Sequence, residues 1–131
     1  MTTICDTRLL ITFWFPPTEE TRQNAARLLL RELSRHLLIP SIVATEYIKI
    51  TGRKNGVEAA LNQINILESR GATITNIDKE VAVEAGKLMN IHPNVPIADA
   101  LIAATYTQNS AEYIITEDEH FEELGCKTRW I

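Results

Sequence analysis

Short β-branched or aliphatic runs alternate along this chain with longer stretches in which apolar residues recur every three to four positions. Alternation at period two reads as strand, and recurrence near 3.6 reads as amphipathic helix. Thr2–Cys5 is the first strand candidate. The apolar stretch Arg8–Phe15 follows as a helix and stops at Pro16-Pro17, which cannot continue one. Thr18 caps a long helix with Glu19 and Glu20 in its first turn, and Ala26, Leu29, Leu30, Leu33 and Leu37 are predicted to share its inner face. Leu37–Ile39 is a buried strand ended by Pro40. Ser41 caps a helix from Ile42 to about Thr51, with Gly52 as its stop. A further helix runs from about Val57 to Arg70, with Leu61, Ile64 and Glu68 at helical spacing, and ends at Gly71.

Ala72–Ile77 is a strand by its Thr and Ile content. Asp78 caps a helix carrying Val81, Ala85, Leu88 and Met89 on one face. After the loop His92–Val95, Pro96 opens a helix that reaches about Gln108. Tyr113–Thr116, Glu119–Leu124 and Cys126–Ile131 complete the pattern as strand, short helix and strand. Strands separated by helices predict βαβ crossovers. The expected fold is therefore α/β, three layers with a central parallel sheet between helices. No linker or repeat divides the chain, so residues 1–131 read as one domain.

Charge narrows the chemistry. Thirteen Lys and Arg against seventeen Asp and Glu give a net charge of −4. That argues against binding nucleic acid through a broad basic face, which rests on phosphate neutralisation. It leaves open an enzyme that reaches a phosphodiester through metal ions. Cys5 and Cys126 make no metal-ligand spacing and read as buried thiols of a reducing compartment. Met1–Asp6 does not open a secretion signal, and the apolar stretch Leu37–Ala44 is broken by Pro40. These features predict a cytoplasmic protein that does not enter a membrane.

Ligands of parallel sheets bind outside the carboxyl ends of the strands, so acids placed there carry the most information. Asp6 follows the first strand, Asp99 lies in the first turn of the helix opened by Pro96, and Asp118 follows the strand ending at Thr116. Glu46 shares a helix face with Ile42, Val43 and Ile50, where a carboxylate without a partner is costly. Taken singly, Asp6 also reads as an N-cap, Asp99 as an acid favoured by the helix dipole, and Asp118 as a turn residue. Together on one sheet edge they would repel one another unless a cation sat among them. Oxygen-only ligands select hard cations such as Mg²⁺ or Mn²⁺. His36, His92 and His120 lack ligand spacing, and no phosphate-loop or nucleophile-elbow motif is present.

Four blocks resemble those of PIN domains, in particular the VapC-type ribonuclease toxins. They are Ile4-Cys5-Asp6-Thr7, Ser41 through Glu46, Ile97-Ala98-Asp99-Ala100-Leu101-Ile102-Ala103-Ala104, and Thr116-Glu117-Asp118-Glu119-His120-Phe121. The resemblance implies Asp6, Glu46, Asp99 and Asp118 as catalytic ligands of Mg²⁺ or Mn²⁺, with Thr7 and Thr116 as supporting hydroxyls. It also implies endonucleolytic cleavage of RNA, a homodimer, and a small antitoxin partner. Arg8 stands where the family usually has a small polar residue, and Glu117 competes with Asp118 for the metal-facing position. Lys49, Arg53 and Lys54 are candidates for a basic rim that holds RNA. The aromatic run Phe13-Trp14-Phe15 is either core or a docking surface. A PIN-like module that only binds partners, or an RNA-processing PIN nuclease without an antitoxin, are the competing expectations. A dehalogenase-like phosphatase would need an Asp where Arg8 stands.

Overall fold

A computed structural model describes residues Met1–Ile131. Three strands carry uninterrupted buried runs, as strands covered on both faces require. They are β1 (Thr3–Cys5), β2 (Leu37–Pro40) and β4 (Tyr113–Ile115). The edges are β3 (Thr73–Thr75) and β5 (Thr128–Arg129), which are shorter or more exposed. All pairings are parallel, in the order β3-β2-β1-β4-β5.

Seven helices make the crossovers: α1 (Thr7–Trp14), α2 (Glu19–Arg35), α3 (Ser41–Asn55), α4 (Val57–Ser69), α5 (Lys79–Ile91), α6 (Ile97–Gln108) and α7 (His120–Glu123). Right-handed crossovers put α1 to α4 on one face and α5 to α7 on the other. The strand order changes direction between β1 and β4. The crevice at their carboxyl ends is the topological switch point, where open α/β sheets bind ligands.

The core joins Ile4, Leu9, Leu10, Leu29, Leu37, Ile39, Ile102, Ile114, Ile115 and Phe121, all essentially without solvent exposure. Burying each such side chain contributes about 1.5–3 kcal/mol. A smaller cluster of Val81, Ala85, Ala100 and Ala104 lets α5 and α6 pack closely.

Three expectations are corrected. The α2 face that turns inward is Ala25, Leu28, Leu29 and Glu32, and Leu30 is 61% exposed. Gly52 does not end α3. It lies within it, and a Cβ there would touch Val57 Cγ2 at 3.4 Å, where α4 begins. The helix ends instead at Gly56, whose φ of +91° leaves the helical region and whose N–H donates to the Gly52 carbonyl. Ser41 is the first residue of α3 rather than its cap, because β2 runs directly into the helix at Pro40.

Candidate functional site

The carboxyl ends of β1 and β4 hold the site together. Asp6 directly follows β1 and caps α1, with extended backbone and the Thr7 N–H donating to its Oδ1 (2.7 Å). Thr116 directly follows β4, and its hydroxyl donates to Asp6 Oδ2 (2.7 Å). Each oxygen of the buried Asp6 carboxylate therefore has a donor from this chain and keeps a further acceptor site. The Thr7 hydroxyl donates to Glu46 Oε1 (2.8 Å), which ties the second turn of α3 to the start of α1. The same Thr116 hydroxyl accepts from the Asp118 N–H (3.0 Å), and Asp118 Oδ1 accepts from the His120 N–H (2.9 Å).

Asp99 enters from the opposite face, in the first turn of α6, which begins where Pro96 closes the preceding loop. Together, Asp6, Glu46, Asp99 and Asp118 line one open cavity of about 560 Å³, with Thr7, Thr116 and Ile50 beside them. Glu46 does not face the core. The helix face it shares with Ile50 looks into this cavity.

Electrostatics follow from the placement. Burial pushes the Asp99 carboxyl up to about 6, aided by the charges of Asp6, Asp118 and Glu46. Asp6 is also raised, first by burial, with the Thr116 and Thr7 hydrogen bonds working against it and the neighbouring acids adding to it. Arg8 is the cationic side chain that lines the cavity, and its Nε pairs with Glu117 Oε1 at 3.2 Å, both side chains being exposed. Arg8 thus pairs with Glu117 and with none of the four acids, although both line the same cavity. Lys49, Arg53 and Lys54 are exposed on α3 and form no ion pairs. His120 Nδ1 lies 3.6 Å from Asp118 Oδ1, His36 bonds to Thr2, and His92 lines a separate surface cavity.

No three acidic, histidine or cysteine side chains close on one point as a finished coordination sphere. The donor set nevertheless suits a hard divalent cation. It is all oxygen, it is partly buried, and its acids are coupled by mutual repulsion with no free cation of the chain among them.

Two groups were not legible in the sequence. Glu32 is fully buried on α2 and accepts from the hydroxyls of Thr3 (3.2 Å) and Tyr113 (2.5 Å) and from Arg31, with Arg35 3.5 Å away. Nearby, Arg27, Arg31, Arg129 and Trp130 line a groove between α2 and the end of β5. The only trace of either is the i,i+4 spacing of Arg27 and Arg31 and the adjacency of Arg129 and Trp130.

Comparison with known proteins places this geometry in a family. The family model described as PIN domain matches residues 3–126. No curated protein sequence matches at a significant level. Among solved structures, VapBC2 from Rickettsia felis, bound to a DNA fragment of its promoter, superposes with a TM-score of 0.79. It is 16% identical, and the match covers 99% of this chain and 98% of that one. The Mycobacterium tuberculosis toxin VapC20, which cleaves the sarcin–ricin loop, gives 0.78 at 16% identity over 95% of each chain. DNA-bound VapBC from Salmonella typhimurium gives 0.77 at 19% identity over 99% of this chain and 98% of that one. Such identities speak for the fold, and the family match for kinship: the chain belongs to the PIN domain family.

Proposed function

We propose that this PIN-domain chain is a metal-dependent endoribonuclease, the toxin of a toxin–antitoxin pair acting in the cytoplasm. Asp6, Glu46, Asp99 and Asp118 are its ligands for Mg²⁺ or Mn²⁺. The observation that carries the reading is the convergence of these four acids on one cavity at the switch point of the sheet. A divalent cation held there supplies a water of lowered pKa and stabilises charge on the leaving oxygen.

The chain's own residues do the positioning. Thr7 and Thr116 fix the Asp6 carboxylate from both sides, so it presents its remaining acceptor sites to the cavity. Through its hydroxyl, Thr7 also sets the Glu46 carboxylate. Asp118 is oriented by the His120 N–H and keeps Oδ2 free. Lys49, Arg53 and Lys54 extend from the helix that carries Glu46 and offer cations to the phosphates flanking the scissile bond.

Purified protein incubated with pooled ribosomal and transfer RNA in Mg²⁺ or Mn²⁺ should give discrete internal cuts. EDTA should abolish them, and Asp99→Asn, which keeps shape but removes charge, should slow them at least a hundredfold. Cleavage by Asp99→Asn at the wild-type rate contradicts the reading.

A protein partner belongs to the same proposal. Phe13, Trp14, Leu29, Leu30, Leu33 and Ile66 line an apolar groove of about 230 Å³ between α1, α2 and α4. Exposed Leu30 fits this groove to an apolar partner segment. The partner is a small antitoxin, and self-association as a homodimer is the expected quaternary state.

A further inference from the structure

The groove between α2 and β5 has the chemistry of a second nucleic-acid contact. Arg27, Arg31 and Arg129 line it with the half-buried Trp130 and Ile131, and no acidic side chain lines it. In a chain of net charge −4, three guanidinium groups around one indole are a concentrated exception. Arg27 makes no ion pair, its partner being Asn24 Oδ1 at 3.2 Å. Arg129 lies over the Tyr113 ring, 5.6 Å from its centroid, and likewise has no acidic partner.

The buried carboxylate beneath this groove becomes intelligible in the same terms. Glu32 accepts two hydrogen bonds from Arg31 (3.2 and 3.1 Å) and one from Tyr113, whose ring in turn supports Arg129. One buried acid thus holds the Arg31 guanidinium directly and the Tyr113 ring beside Arg129. Planar guanidiniums suit phosphate oxygens, and an indole in the same groove suits a base face.

The groove and the acidic cavity share no lining residue, and the β4–β5 ladder links them through one residue. The Thr116 N–H donates to the Arg129 carbonyl (2.9 Å), while the Thr116 hydroxyl donates to Asp6 (2.7 Å). We propose that the Arg27–Arg31–Arg129–Trp130 groove binds single-stranded RNA, as a contact separate from the four carboxylates. The proposal rests on the nuclease reading for its biological meaning, but its test does not require cleavage. Stacking on Trp130 together with paired guanidiniums favours a nucleic acid over an acidic peptide, which needs only the charge.

The test is fluorescence anisotropy of a labelled uridine dodecamer in EDTA, with the salt concentration varied. Arg27→Ala/Arg129→Ala should weaken binding about tenfold near 0.1 M salt. It should also flatten the slope of log K against log salt by about 1.4, two single-strand phosphate contacts. Arg129→Lys should restore its share of the slope, since the charge returns. Trp130→Ala should weaken binding severalfold and leave the slope unchanged. Lys79→Ala/Lys87→Ala, the same charge change on α5, should bind as wild type.

Equal losses in the α2–β5 and α5 double variants overturn the proposal, as does absence of binding at low salt. So does a glutamate dodecamer that competes as well as RNA and is indifferent to Trp130→Ala. Arg27 and Arg129 are exposed, so a wild-type thermal transition in the double variant separates lost binding from lost fold. This binding pattern without metal-dependent cleavage would sink the nuclease reading alone. Cleavage without the pattern would sink the groove alone.

Discussion

Asp99 is the acid whose placement costs most and reveals most. Its folded pKa of about 6 lies above the ordinary 3.8, chiefly through burial and then through Asp6, Asp118 and Glu46. Between about pH 4 and 6 the folded chain therefore binds more protons at this group than the unfolded chain does. The contribution of Asp99 to stability is thus greatest at the acid end and declines as pH rises through that window. In EDTA, the melting temperature of Asp99→Asn relative to wild type should accordingly climb from pH 4 to pH 7; a constant difference contradicts the burial argument. Glu32 behaves oppositely. Burial pushes its carboxyl up, but the hydrogen bonds of Tyr113, Arg31 and Thr3, with Arg35 nearby, outweigh burial and hold it below the ordinary value. Its contribution is present at neutral pH and is lost as acid titrates it. Glu32→Ala should lower stability in urea unfolding by about 2–4 kcal/mol, since two buried hydroxyls lose their acceptor. Mn²⁺ affinity should be unchanged, because Glu32 bonds to the starts of β1 and β4, away from the carboxyl ends that hold the acids. The four acids were legible because each follows a strand or sits on a helix turn at that edge. Glu32 was not, because its partners Thr3 and Tyr113 lie 29 and 81 residues away in the chain.

At the scale of elements, periodicity located every helix and strand but misjudged faces and stops. In α2 the leucines outnumber the inward positions, so pattern alone placed Leu30 inside. The discrepancy is informative, since Ala26 and Leu30 line the apolar groove beside Phe13 and Trp14, whereas Leu33 packs partly against the core as the pattern predicts. Backbone amides of α1 should gain protection from hydrogen exchange when a cognate antitoxin is added. Full protection already in the free chain would leave that aromatic run as packing alone. In α3 both Gly52 and Gly56 punctuate the sequence, and only backbone geometry separates the interior glycine from the stop. Gly56 combines φ +91° with ψ 146°, a region that side chains disfavour. No atom lies within 4 Å of a Cβ built there, so the cost of Gly56→Ala is conformational. It should lower stability by about 1–3 kcal/mol.

For the whole molecule, topology does what no single residue does. Placing β1 centrally, with β2 and β4 on either side, sets Asp6 and Thr116 next to each other at the switch point. The crossovers then bring Glu46 from one face and Asp99 from the other to the same opening. The parallel sheet was legible from the alternation of strands and helices, whereas the strand order was not, because three-residue strands carry no register of their own. The chain's negative charge sharpens the functional demand. An RNA brought to four carboxylates needs cations at the site and basic contacts around it. The most direct test of the central claim is thermal denaturation with and without Mn²⁺ at pH 7.5, for wild type and Asp99→Asn. With metal about 100-fold above its dissociation constant, wild type should gain about 2.7 kcal/mol. In a domain of this size, that gain raises the melting temperature by roughly 5–15 °C. Loss of the rise in Asp99→Asn is the predicted result; no rise in wild type, or an equal rise in the variant, would contradict a metal site built on these four acids.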